Sequence, residues 1–95
     1  MTFEDAILII RKNYPNRLIW TGFEYKDLFI FAVAIDNKFV PQDVALAFVS
    51  VNKNTKETGS YPFWKNVLKD QELASAGKAG RLVDVTEEQA KMRQK

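Results

Sequence analysis

Few groups in this chain can do chemistry. It contains no histidine and no cysteine. A Ser-His or Cys-His nucleophile–base pair and a His or Cys metal site are therefore excluded by composition. The four glycines, Gly22, Gly59, Gly77 and Gly80, fit neither a phosphate-cradling loop nor a dinucleotide fingerprint. Nothing in the sequence signals a cofactor, and none is expected. Carboxylates remain. Glu24 and Asp27 flank one turn, and Asp36 and Asp43 flank a longer loop. Either pair has the atoms for acid–base work or for holding a hard cation. Acidic residues also collect in turns simply because they satisfy local backbone groups. That second reading is preferred, and the chain is expected to be no enzyme.

Aromatic residues are the other candidates, at 13% of the chain. Trp20 and Tyr25 stand near Arg17 and Lys26. Exposed together on a sheet face, these four would stack on single-stranded nucleic acid, and the idea requires Trp20 or Tyr25 to be exposed. Phe39, Tyr61, Phe63 and Trp64 are candidates for gripping a protein partner, because aromatics are enriched at interface centres. The alternative for both groups is core packing, which a small domain needs. The net charge of +2, from 14 basic and 12 acidic residues, gives only a weak field. The basic residues are scattered from Arg11 to Lys95 and not clustered, so nucleic acid is the less favoured partner.

The elements that must position these groups follow from periodicity. Thr2 is a good N-cap with Asp5 three residues on, an approximate capping box. Phe3, Ala6, Ile7, Ile10 and Tyr14 then recur at helical spacing, with Leu8 and Ile9 widening the apolar face. Pro15 ends this helix near Asn13. Three apolar runs follow, Leu18–Tyr25, Leu28–Ile35 and Ala45–Val51, read as antiparallel strands. Simple alternation puts Ile19, Thr21, Phe23 and Tyr25 on one side of the first, and Leu18, Trp20, Gly22 and Glu24 on the other. Gly22 marks either a bulge or a close approach. Lys26-Asp27 reads as a short hairpin connection; it lacks the glycine of a tight turn, so a longer loop taking in Tyr25 or Leu28 is the alternative. The second run is apolar on both faces and reads as the central strand. A short fourth strand is expected at Ser60–Phe63. A helix then runs from Phe63 to about Ala76, capped by Gly77, with Phe63, Trp64, Val67, Leu68 and Leu73 on its apolar face.

Ninety-five residues make one domain. It is placed at 1–77, with 78–95 as a linker and tail holding an edge strand over Arg81–Val85 and a short helix opened by Thr86. The longest apolar run, eight residues, is far below the roughly 20 of a membrane helix. No membrane association and a cytoplasmic location are expected.

The order of apolar strand, loop, Phe48-Val49-Ser50-Val51-Asn52-Lys53-Asn54-Thr55, then a glycine and an aromatic-Pro pair resembles small phage and prophage proteins of Gram-positive bacteria. Immunity-protein-like domains with a leading helix and a β-meander share the layout. In those proteins the turn commonly reads Val-Asp-Lys-x-Thr-Gly; here Lys56-Glu57-Thr58 is inserted before Gly59. The resemblance covers residues 28 to 63 and implies an origin and a rough fold, with no site residues.

The expectation is thus an α+β domain: an N-terminal helix on a three- or four-stranded antiparallel meander, a second helix and a mobile C-terminal tail. Its expected role is protein binding or self-association, as an accessory, assembly or inhibitory protein. Nucleic-acid binding is the alternative.

Overall fold

The computed structural model describes residues 1–15, 17–34 and 46–84. Helix α1 spans Phe3–Asn13 and starts as its sequence dictates. The Thr2 hydroxyl accepts from the Asp5 N–H, and the Asp5 carboxylate accepts from the Thr2 N–H, closing the capping box. Those hydrogen bonds hold the Asp5 carboxyl below the usual carboxylate range. At the other end the Tyr14 N–H bonds the Ile10 carbonyl just before Pro15.

Four strands form a meander: β1 (Ile19–Tyr25), β2 (Leu28–Ala34), β3 (Leu46–Asn52) and β4 (Thr58–Ser60). Two helices, α2 (Phe63–Val67) and α3 (Gln71–Lys78), carry the chain across one face of the sheet. The short strand β5 (Arg81–Leu82) then pairs antiparallel with β1. The sheet order is β4-β3-β2-β1-β5, all antiparallel. This is the α+β layout expected from sequence, with a fifth strand added at the far edge.

The central strand β2 is covered on both faces. Its bulky side, Phe29, Phe31 and Val33, meets α1 through Ala6 and Ile10, with Ile19, Val49 and Val51 alongside. Its slimmer side, Ile30, Ala32 and Ala34, meets two clusters. Phe23, Tyr25, Phe63 and Leu73 pack near Ile30, and Trp20 packs on the two alanines. Burial of each large apolar side chain is worth about 1.5–3 kcal/mol, so β2 is the main source of stability.

Several expectations are corrected, and others left open by the sequence are decided. Register shifts between Ile19 and Thr21, so a bulge turns Trp20 onto the side of Phe23 and Tyr25, while Ile19 joins the α1 side. Gly22 is the close approach: a Cβ there would lie 2.5 Å from the Phe31 ring and 2.8 Å from Phe3. The β1–β2 turn holds only Lys26 and Asp27, and Lys26 adopts φ 52, which stands in for the missing glycine. Strand β4 begins at Thr58 and not at Ser60, because Asn52 closes a compact turn by accepting the N–H groups of Asn54 and Thr55 through its side chain. The helix expected over 63–76 is two helices. Asp70 interrupts it by capping α3, accepting from the N–H groups of Glu72 and Leu73. Leu8 is exposed and does not widen the buried face of α1.

The segment after Gly77 is joined to the fold. Asp84 accepts two hydrogen bonds from Arg11, at 2.6 and 3.1 Å, and one from the Ile19 N–H at 2.9 Å. The expected strand over Arg81–Val85 is thus present at Arg81–Leu82. Residues 85–95, including the helix expected after Thr86, lie outside the described residues.

Candidate functional site

The sequence candidates scatter. Trp20 is 3% exposed and Tyr25 8% exposed, so neither ring offers the open face that base stacking requires. The bulge and the crossing helices bury them. Arg17 and Lys26 lie at opposite ends of β1, about 30 Å apart along an extended strand. Arg17 instead sits over Tyr14, and Lys26 over the Tyr25 ring. The exposed-face expectation for Trp20 and Tyr25 is therefore overturned.

Tyr25 is a structural contact. Its hydroxyl donates to Asp70, the cap of α3, tying that helix to the β1–β2 turn. The bond to Asp70 raises the Tyr25 pKa and lowers that of Asp70. The Lys26 pKa is raised by its contact with the Tyr25 hydroxyl.

Glu24 and Asp27 do not form a carboxylate pair. Glu24 pairs with Lys53, whose ammonium lies 5.1 Å from the Phe29 ring centre, and Asp27 stands exposed in the turn. Asp36 and Asp43 lie outside the described residues. Among the described residues there is no group of three or more ligands that could hold a metal ion. No helix among them is long and apolar enough to cross a membrane.

The aromatic corner is divided by the fold. Phe63 is core: it stacks on Phe48 at 4.3 Å and meets Phe23 edge-on at 5.9 Å. Tyr61 is half-buried beside the same cluster. Phe39 lies outside the described residues. Trp64 points outward and is 68% exposed. It is held from behind by edge contacts to Phe48 at 5.7 Å and Phe63 at 5.2 Å. Such pairs contribute about 0.5–1.5 kcal/mol each, so the indole is fixed before anything docks on it.

Leu68, one helical turn on from Trp64, is 86% exposed. Sequence reasoning placed it in the core, because one continuous helix would have turned it inward. The signal was Asp70, which starts a new helix by capping α3. Lys65 and Lys69 are exposed and lie one turn apart beside this apolar pair. No acidic residue occurs between Glu57 and Asp70, and Asp70 is occupied by Tyr25 and the α3 amides. The surface of α2 is therefore an apolar strip beside a basic one.

A concavity lies at the β1–β5 edge of the sheet. It has a volume of about 570 Å³ and is lined by Phe3, Gly22, Glu24, Phe29, Ala79 and Arg81 among others. Arg81 lies over the Phe3 ring, 3.9 Å from its centre.

Comparison of the chain with protein-family models, with curated proteins and with solved structures finds no match in any of the three.

Proposed function

We propose that this is a non-enzymatic protein-binding module whose docking surface is the outer face of α2. One observation carries the reading: Trp64 and Leu68 are both largely exposed, one turn apart, on an aromatic platform that fixes the indole. Leaving two large apolar side chains in water is a cost that a docked partner removes. Lys65 and Lys69 give the rim its sign, so the partner is a protein segment with apolar anchors and acidic residues around them. The resemblance of residues 28–63 to small phage and prophage proteins supplies a setting, that of an accessory, assembly or inhibitory factor.

The test is a comparison of variants in extracts of the native host and then with the purified partner. Leu68→Glu and Trp64→Ala should each weaken a stoichiometric protein complex about 30-fold or more, as centre-of-interface residues do. Leu8→Ala, on the other side of the sheet, should leave it intact. A cross-linker placed at position 68 should label an acidic, apolar segment. The reading fails if the complex survives Leu68→Glu undiminished, or if no protein partner and no self-association is found. It also fails if single-stranded nucleic acid quenches Trp64 while no protein binds.

A further inference from the structure

We propose that the chain forms a symmetric dimer in which strand β4 pairs with β4 of a second copy, at an edge separate from the α2 surface. The hydrogen-bond phase of the β3–β4 ladder carries the inference. The Asn52 N–H donates to the Glu57 carbonyl at 2.9 Å, and the Tyr61 N–H donates to the Phe48 carbonyl at 2.8 Å. Hydrogen-bonded pairs alternate along an antiparallel ladder, so the Ser50–Gly59 pair between them is the next of that kind. Gly59 thus turns its N–H and C=O toward β3, whereas those of Thr58 and Ser60 point away from it. Among the described residues, none bonds these outward groups. Strand β4 is the end strand of the sheet. Such edges are usually guarded by charge, proline or a bulge. Thr58-Gly59-Ser60 carries none of the three.

A second copy fits because this edge is its own complement. Two β4 strands running antiparallel about a two-fold axis at Gly59 set Thr58 of each copy against Ser60 of the other. Both residues face outward, so each such pair exchanges its N–H and C=O groups and every outward donor meets an acceptor. Thr58 and Ser60 lie on the α1 face, paired with Val51 and Val49, and their hydroxyls are placed to bond across the seam. Gly59 meets Gly59 at the closely spaced position, where Cα atoms lie about 4.5 Å apart. A Cβ at Gly59 would have no atom within 4 Å, so the edge is bare there. Tyr61 is half-buried and stands diagonal to the Gly59 of the other copy, within reach of its ring. Glu57 faces Tyr61 and Lys56 faces Pro62, so no charge is set against its like. A seam this short gives a weak dimer, in about the μM–mM range.

The purified full chain, sedimented to equilibrium across about 1 μM to 1 mM, should pass from monomer to dimer. Amide exchange at Thr58 and Ser60 should slow as the dimer forms, and by more than at Gly59, which already bonds β3. Gly59→Lys and Gly59→Glu test the register. The φ at Gly59 is not positive and its surroundings are open, so each variant should fold, as far-UV circular dichroism would verify. In the dimer each sets like charges directly opposite one another, which should weaken association about tenfold or more. An equimolar mixture of the two variants sets opposite charges face to face and should recover a heterodimer. The proposal is overturned if wild type stays monomeric throughout that range, or if either variant dimerises as tightly as wild type. It is equally overturned if the mixture associates no better than its components. Leu68→Glu should dimerise as wild type does, so failure here is independent of the fate of the α2 surface; loss of the dimer in that variant would move self-association to α2 and also overturn the proposal.

Discussion

Gly22→Ala should destabilise the protein, although its backbone conformation is open to any residue. The backbone φ at Gly22 is not positive, so alanine would ordinarily gain about 0.4–1 kcal/mol by restricting the unfolded chain. The new methyl group, however, would lie 2.5 Å from two carbons of the Phe31 ring and 2.8 Å from Phe3. Carbon atoms prefer about 3.5–4.0 Å, so the overlap is about 1 Å. Phe31 is fully buried and cannot swing into solvent. Overpacking of this kind costs about 1–3 kcal/mol, which outweighs the backbone gain. A domain of this size loses about 4–8 °C of Tm per kcal/mol. Urea titrations read by circular dichroism, with an unchanged m value, would measure the loss. The sharper measurement is the cycle with Phe31→Leu. Trimming the ring makes room for the methyl group, so the double variant should be more stable than the sum of the singles by about 0.5–3 kcal/mol. Additive singles, or a Gly22→Ala variant as stable as wild type, would refute the close approach of the Phe31 ring to Gly22.

Three further outcomes are expected. Tyr25→Phe removes the main cause of the lowered Asp70 pKa. A depressed folded-state carboxyl contributes stability above its unfolded pKa and loses it as pH falls through the folded value. The Tm deficit of Tyr25→Phe should therefore be full at neutral pH and shrink below about pH 4; a pH-independent deficit would contradict the contact. Asp84→Ala strands the half-buried Ile19 N–H and should cost about 1–3 kcal/mol, whereas Arg11→Met, at an exposed ion pair, should cost about 1 kcal/mol or less by denaturant titration. Lys56→Gly relieves a left-handed φ of 64 and should raise stability by about 0.5–1 kcal/mol, with Lys56→Ala near neutral in the same assay.

Local chemistry made the first half of the fold legible. Thr2 and Asp5 act three residues apart and Pro15 acts on its neighbour Tyr14, and the start and end of α1 lie where they place them. The doubly apolar run from Leu28 has only one economical location, a central strand covered on both faces, and β2 occupies it. The absence of histidine and cysteine limited the chemistry through composition alone, since no fold can supply a side chain that the chain lacks.

Tertiary structure decided what lies on the surface. One bulge residue moved Trp20 to the opposite face, because strand alternation has a period of two and one insertion reverses it. Asp70 split a helix whose apolar spacing had no visible break, and that split set Leu68 outside while Leu73 is fully buried. Phe63 and Trp64 are adjacent, aromatic and equivalent by composition, yet one is core and the other is largely exposed. Composition states how much apolar surface a chain must hide. Which ring is left over depends on where distant elements cross, and that is a property of the packed molecule alone.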